Sequence, residues 1–190
     1  MAEQNLNGTR VAILASDGFE QIELEDPRKA LENAGAKTSV IAPKGGTIYG
    51  MKHHDKAGSV KVDLDLAAAN PDEFDALLLP GGALNADALR VVPKAQEFVR
   101  RMDREGKPLA VICHAPWLLV SAGLAKGRTL TSYHTIQDDL RNAGANWSDR
   151  EVIRDRNWVT SRQPSDIPAF NREMIILFSE RKVRARGASS

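Results

Sequence analysis

The stretch LAVICHAPWLLV, residues 109–120, joins a continuous apolar run to a helix through a sharp turn. Residues 109–113 carry no charge, which is typical of a strand that is buried on both faces of a sheet. Comparable runs occur at residues 11–15, 39–42 and 76–79, and stretches with helical patterns separate them. This alternation predicts a three-layer α/β fold, in which a mostly parallel sheet carries helices on both faces.

Other segments have patterns of their own. We expect Pro27 to interrupt the first helical stretch, with Asp26 capping a second helix after it. Residues 51–58 are polar and predict a loop or an insertion. Residues 151–155 and 158–161 flank Arg156 and Asn157, which predicts a β-hairpin near the C-terminal end of the chain.

Length and composition limit the classes of protein that remain. The chain has 190 residues, which predicts a single domain over residues 1–190. Lys and Arg number 26 against 25 Asp and Glu, so the net charge of +1 gives no basic excess for nucleic acid or an anionic membrane. No apolar run approaches the roughly 20 residues that span a bilayer, and residues 1–10 lack the apolar core of a signal peptide. We therefore expect a cytoplasmic protein.

Three unusual segments follow three of the predicted buried strands. They are SDGFE at 16–20, PGG at 80–82 and CHAP at 113–116. Ligands of parallel α/β sheets bind beyond the carboxyl ends of the strands. If the strands are neighbours, the three segments meet at one edge of the sheet and form the candidate site.

Cys113 is the single cysteine, which excludes an intrachain disulfide and a cysteine-rich zinc cluster. A cysteine at the end of a core strand is often only a small buried apolar residue. Here, however, the strand turns sharply into a helix, as at the nucleophile elbow of other α/β enzymes. The following helix N-terminus is expected to favour the thiolate, and His114 could accept its proton or orient a substrate.

Two further elements lie beside this cysteine. Gly81 and Gly82 lack side chains, so their backbone N–H groups can approach a ligand closely. Together with the N–H of His114, they could form an oxyanion hole. The alternative is an ordinary tight turn, which is the more frequent role of an isolated Gly-Gly. Glu20 follows the first strand and could donate a hydrogen bond to the Cys113 sulfur if burial raises the carboxyl pKa. The alternative is an acid at a helix N-terminus that interacts with the helix dipole.

Five segments carry a resemblance to a known family. They are DGFEQIEL (17–24), FDALLLPGG (74–82), GKPLAVICHAPWLLVSAG (106–123), TSYHTIQDDLRNAGANW (131–147) and NWVTSRQPSDIPAF (157–170). The chain resembles the ThiJ/PfpI family of intracellular cysteine hydrolases and stress proteins over about residues 9–180. The resemblance implies a flavodoxin-like sandwich and a homodimer or larger assembly.

The resemblance also implies roles for particular residues. The nucleophile of the family falls on Cys113, its adjacent histidine on His114, and the acid that contacts the nucleophile on Glu20. In PfpI-type members a second acid from a neighbouring subunit completes a Cys-His-acid triad, and Asp87 is the candidate here. Tyr133 matches a tyrosine near the active site of the family.

The resemblance implies no metal, and we predict no cofactor. His53 and His54 form a candidate ligand pair, but adjacent residues rarely point the same way, so a solvated loop is the preferred interpretation. The role of His134 stays open. Glutamine amidotransferases share the nucleophile elbow but need a late His-x-Glu, and His134 is followed by Thr135 and Ile136.

Three functions remain as hypotheses. The first is a stress-response enzyme in which Cys113 attacks reactive carbonyls, such as small 2-oxoaldehydes, or their adducts on proteins. The second is a PfpI-type cysteine peptidase that uses the same residues. The third is a redox-sensing protein without turnover, in which the Cys113 thiol oxidises and no second cysteine is present to resolve it.

Overall fold

The computed structural model describes residues 5–187, and the side chains as far as residue 180. The strands are β1 (Arg10–Leu14), β2 (Phe19–Glu20), β3 (Lys37–Ala42), β4 (Thr47–Lys52), β5 (Asp55–Lys61), β6 (Leu64–Asp65), β7 (Ala76–Leu79), β8 (Leu109–Ile112), β9 (Thr129–Leu130), β10 (Asn146–Trp147), β11 (Val152–Asp155) and β12 (Trp158–Ser161). The helices are α1 (Gln21–Asn33), α2 (Ala83–Arg90), α3 (Pro93–Arg104), α4 (Pro116–Ser121), α5 (Gln137–Asn142) and α6 (Ile167–Gly187).

Seven of these strands form the central sheet, in the order β11-β12-β8-β7-β1-β3-β6. All neighbouring pairs in it are parallel except β11 and β12, which form the predicted antiparallel hairpin. Helices cover both faces, so the predicted flavodoxin-like sandwich is confirmed.

The central strands are apolar because they supply both cores at once. On β7, Leu77 and Leu79 belong to the core that contains Phe98 of α3. Ala76 and Leu78 belong to the opposite core, which α6 closes with Phe170. Successive residues of a strand point to opposite faces, so a strand between two helical layers has no polar position.

Helix α1 differs from the prediction, because it continues through Pro27 instead of stopping there. The proline ring removes one backbone donor but packs as a buried apolar side chain. Asp26 consequently lies inside the helix and caps nothing. Residues 21–33 therefore form one continuous helix, which begins directly after β2.

The predicted loop at residues 51–58 is also wrong, since most of this segment belongs to the β4–β5 hairpin. The alternation of apolar and polar residues that predicts a strand is interrupted here by a register irregularity between Tyr49 and Met51. It is also weak on β5, because that strand is largely exposed and carries charged residues. β4 pairs with short β2, which places the hairpin beside the residues that follow β1.

Within the described residues, no helix is long and apolar enough to cross a membrane.

The central position of β7 makes its side chains the clearest test of this architecture. Replacing Leu77, which is fully buried, by alanine should lower the free energy of unfolding by about 2–5 kcal/mol, because the cavity left behind cannot collapse between two packed layers. Chemical denaturation measures this loss. The matched change Leu84→Ala, at a leucine that is 59% exposed, should cost less than about 0.5 kcal/mol. Equal losses in the two variants would contradict the assigned core.

Candidate active site

Cys113 lies directly after β8, at the carboxyl edge of the sheet. Its N–H donates to the Ser161 carbonyl over 3.0 Å, and its own carbonyl accepts from the Tyr133 N–H over 2.9 Å. The backbone φ is 64°, a left-handed conformation that is rare outside glycine. Such strain is held by surrounding contacts and is common at functional sites. The predicted elbow is present, and it turns the thiol away from the strand.

The carboxyl group beside the sulfur belongs to Glu23, whereas the sequence prediction gave that position to Glu20. Glu23 is fully buried in the first turn of α1, accepts a hydrogen bond from the Gly81 N–H over 3.0 Å, and interacts with the Cys113 thiol. Glu20 lies on β2, before the helix, and its carboxylate accepts from the His53 N–H over 3.1 Å. Two residues at the start of α1, Gln21 and Ile22, separate the two acids, and the first turn of the helix directs Glu23 toward the sulfur.

Burial dominates the electrostatics of this pair. Burial is the main cause that raises the pKa of Glu23 to about 8, and the negative charge of Glu20 contributes to the same rise. Burial and the Glu23 carboxyl also raise the pKa of the Cys113 thiol, and they outweigh the lowering expected from backbone N–H groups at the start of the helix. Near pH 7 Glu23 therefore holds a proton, which it can donate to the sulfur once the thiol ionises.

Two backbone donors oppose that rise in the thiol pKa. The N–H groups of Gly82 and His114 both donate to the Cys113 sulfur. A Cβ on Gly81 would overlap the Glu23 carboxylate and the Cys113 Cβ, and one on Gly82, where φ is 94°, would overlap the backbone near Glu20. The two glycines are therefore needed for close approach. The Gly81 N–H is already bonded to Glu23, whereas the Gly82 N–H points to the sulfur and is available to a developing negative charge there.

His114 has a partner at each ring nitrogen. Its Nδ1 lies 3.1 Å from the Cys113 sulfur, and its Nε2 lies 3.2 Å from the Thr135 hydroxyl. The ring stacks on Tyr133 at 4.8 Å between centroids and meets the Trp117 ring edge-on at 5.5 Å. Burial lowers the pKa of His114, and nearby His134 lowers it further. Among the described residues, no carboxylate forms a hydrogen bond with this imidazole.

A cleft of about 630 Å³ opens above these groups. Its lining is Gly18, Glu20, Glu23, Met51, His53, His54, Gly82, Ala83, Leu84, Cys113, His114, Tyr133, Thr135 and Pro164. His53 and His54, predicted to lie in a solvated loop, are exposed in the turn at the tip of the β4–β5 hairpin and line the cleft. Asp87 is exposed on α2 and does not line the cleft.

Sequence reasoning missed two contributors besides Glu23. Asn85 is fully buried; its side-chain oxygen accepts from the Ser16 N–H over 2.7 Å, and its amide donates to the Pro80 and Gly81 carbonyls over 3.0 Å. It therefore joins the loops after β1 and β7. Its signal was an asparagine three residues after a Gly-Gly turn. Thr135, the second contributor, had no such signal.

No resident metal is indicated by the geometry. Among the described residues, no group of three or more histidine, cysteine, aspartate or glutamate side chains is arranged to hold a metal ion.

Comparisons with known proteins agree with the resemblance drawn from the motifs. A family model described as the DJ-1/PfpI family matches residues 9–177. "Deglycase PfpI" of Pyrococcus furiosus is 47% identical over 168 residues, 88% of this chain and 98% of that protein. "Putative cysteine protease YraA" of Bacillus subtilis is 42% identical over 168 residues, 88% of this chain and 97% of that protein. The crystal structure of Drosophila melanogaster DJ-1beta superimposes with a TM-score of 0.82 at 26% identity, covering 95% of this chain and 97% of the other.

Replacing Glu23 by glutamine should stabilise the protein at alkaline pH. The native state keeps the Glu23 proton up to about pH 8, whereas the unfolded chain releases it near the ordinary value of 4.5. Stability is therefore lost as pH rises between these values, and a neutral amide avoids the loss. We expect a higher Tm for Glu23→Gln at pH 8 by several degrees, since about 1 kcal/mol corresponds to about 2–4 °C at this size.

The same thermal unfolding at pH 4 should give equal Tm values for Glu23→Gln and wild type, because Glu23 is then protonated in both states. Glu97→Gln, at an exposed position on α3, is the matched control and should change neither value by more than a degree or so. A Glu23→Gln variant that is less stable than wild type at pH 8 would show that this carboxyl is ionised and paired in the native state.

Proposed function

The chain belongs to the DJ-1/PfpI family, and we propose on that basis that it is a Cys113-dependent enzyme acting on reactive carbonyls or on their adducts with proteins. A deglycase is the curated relative at 47% identity. The observation that carries the proposal is the strained elbow at Cys113, whose sulfur has an imidazole nitrogen at 3.1 Å and a protonated carboxyl group beside it. A sulfur nucleophile, a base and an acid are the groups that addition to a carbonyl requires.

The proposed reaction begins with attack by the Cys113 sulfur on the electrophilic carbon. The thiol proton passes to Nδ1 of His114, and the new C–S bond converts the carbonyl oxygen into an oxyanion. The N–H groups of Gly82 and His114 stabilise that charge, and Glu23 or the protonated His114 supplies a proton to it. With a free aldehyde the product of this step is a hemithioacetal. With an amine-borne hemiaminal, the C–S bond replaces the C–N bond and the protonated amine leaves; the resulting hemithioacetal then collapses, which releases the aldehyde and returns the proton to the Cys113 thiol.

A cysteine peptidase is the second candidate, and one structural observation is compatible with it. A groove of about 550 Å³ shares Glu20, His53 and Pro164 with the main cleft and runs along the start of α1. Together the two cavities offer room for an extended chain. That room also fits a carbonyl adduct borne on a polypeptide, so the cavities alone do not favour peptide cleavage over adduct removal.

Redox sensing is the third candidate. Cys113 is the only cysteine, and Glu23 holds a proton that it can donate to an oxidised sulfur. A peroxide would oxidise the sulfur stepwise to the sulfenic and sulfinic acids while being reduced to water or an alcohol. The acid that we propose for this role is Glu23, in place of Glu20, because Glu23 is the one that interacts with the sulfur.

Assembly and location are parts of the same proposal. Asp87 lies outside the cleft of its own chain, so it can reach His114 only from a second copy, and the homodimer with an intersubunit triad stays a prediction. A cytoplasmic location fits a free cysteine nucleophile, since reducing compartments keep such a thiol unoxidised.

Loss of the sulfur should abolish the proposed activity. We expect Cys113→Ser and Cys113→Ala to release methylglyoxal from glycated peptide at least about a hundredfold more slowly than wild type, because a hydroxyl or methyl group cannot replace the nucleophile. Peptide cleavage is measured in parallel with unmodified fluorogenic peptides. Val91→Ala, at a residue 72% exposed and outside the cleft, is the control for handling and folding.

The outcomes separate the three candidates. Adduct release without peptide cleavage supports the carbonyl enzyme, and peptide cleavage that is lost with Cys113 supports the peptidase. Activity in neither assay, together with oxygen addition to the intact mass after mild peroxide, supports the sensor. Equal adduct release by wild type and Cys113→Ser would eliminate the Cys113 mechanism.

A further inference from the structure

A buried asparagine lies behind the backbone donors of the site. Asn85, in the first turn of α2, is fully buried. Its amide nitrogen donates to the Pro80 and Gly81 carbonyls, each over 3.0 Å. Its oxygen accepts from the Ser16 N–H over 2.7 Å. Because carbonyls accept and an N–H group donates, these partners determine which end of the side chain is oxygen and which is nitrogen.

The two carbonyls that Asn85 bonds belong to consecutive peptide units. The Pro80 carbonyl shares a planar unit with the Gly81 N–H, and the Gly81 carbonyl shares the next unit with the Gly82 N–H. In a trans peptide the C=O and N–H groups point in opposite directions. Holding the carbonyl of a unit therefore also directs its N–H group.

The opposite ends of these two units reach the reacting groups. The Gly81 N–H donates to the Glu23 carboxyl group over 3.0 Å. The Gly82 N–H donates to the Cys113 sulfur. One side chain thus holds the far end of both backbone donors that contact the buried acid and the thiol.

The segment from Pro80 to Gly82 needs such an anchor. It lies between β7 and α2, outside any helix or strand, and glycine restricts backbone rotation less than any other residue. The Glu20 N–H also donates to the Gly81 carbonyl, over 3.2 Å. Asn85 differs from Glu20 in bonding both carbonyls, so it fixes the two peptide units relative to each other.

We propose that Asn85 is a positioning residue, which holds the Gly81 and Gly82 peptide units so that their N–H groups point at the reacting groups of the site. A hydrogen bond to a carbonyl oxygen also polarises the N–H of the same unit and makes it a stronger donor. The effect is largest when the acceptor is charged, because hydrogen bonds to ions are stronger than neutral ones. Asn85 therefore favours the Cys113 thiolate, which burial alone disfavours.

The inference rests on the proposed function only in taking Cys113 as the reacting atom, so its test measures thiol reactivity directly. All of the bonds that carry it lie within one chain. An acid that a second copy supplies to His114 is compatible with every one of them.

Alkylation of the single cysteine by iodoacetamide tests the role of Asn85. The thiolate is the reacting form, and intact mass follows the rate between pH 7 and pH 9. Asn85→Ala removes the three bonds, and Asn85→Leu removes them while nearly keeping the volume. We expect both variants to react about three- to tenfold more slowly than wild type at each pH, the range that one weakened hydrogen bond supplies.

The direction of the change separates positioning from structural damage. A loosened structure exposes a buried thiol and speeds its alkylation, whereas a misdirected Gly82 N–H slows it. Unchanged or faster alkylation of the Asn85 variants therefore overturns the proposal.

Asn157 offers a matched control at the opposite edge of the sheet. Its amide also joins two segments, since it donates to the Lys107 carbonyl and the Asp103 carboxylate, both over 2.9 Å. Asn157→Ala should lower the Tm as Asn85→Ala does, but leave alkylation within about twofold of wild type. Equal slowing by the two alanine variants would show a general effect of lost stability and overturn the proposal.

NMR of the ¹⁵N-labelled wild-type protein gives a test that needs no Asn85 variant to fold. Raising the pH until Cys113 ionises should shift the Gly82 N–H and Asn85 side-chain amide signals together, and Cys113→Ala should abolish both shifts. A Gly82 shift without an Asn85 shift would overturn the inference.

The proposed function fails separately. No adduct release by wild type, with alkylation slowed in the Asn85 variants, would refute that function and leave this inference standing. Normal adduct release with unchanged alkylation in the Asn85 variants would do the reverse.

Discussion

The hydrogen bond from the Cys113 N–H to the Ser161 carbonyl extends the parallel pairing of β8 and β12 by one residue past the end of the strand. The chain must then turn at once, because Tyr133 occupies the Cys113 carbonyl and α4 begins at Pro116. A left-handed φ at a non-glycine residue is the result. The pairing of β8 with β12 thus determines the position of the thiol. The packing of the buried apolar strands offsets the backbone strain at Cys113.

The buried carboxyl of Glu23 is the second constraint on the site. Placing an acid in the core costs stability unless it is neutral or well bonded, and here it is largely neutral, with one backbone donor from Gly81. The protein thereby keeps a proton beside the sulfur in a place that solvent does not reach. His114 on the other side is also kept neutral by burial. Cys113, Glu23 and His114 are thus all neutral at rest, and charge develops among these three groups only when the sulfur reacts.

The sequence predicted the central sheet well because doubly buried strands leave continuous apolar runs, as at residues 76–79 and 109–112. It predicted the neighbourhood of Cys113 for the same reason, since segments after parallel strands share an edge. It chose the wrong acid because Glu20 and Glu23 differ only in their phase relative to the helix start, which composition does not reveal. Thr135 could not be found because a threonine in a turn has no pattern, and only the folded loop brings it to the imidazole.

Gly81 and Gly82, at the floor of the cleft, limit which positions of the site can change in sequence. No side chain can be introduced at Gly81 or Gly82 without displacing the acid, the cysteine or the backbone of β2, so the reacting centre is closed to variation. The rim is different, because His53, His54 and Leu84 are exposed and line the same cleft from the hairpin and from α2. Changes in substrate preference, by evolution or by engineering, can therefore accumulate at the rim while the chemistry below stays constant.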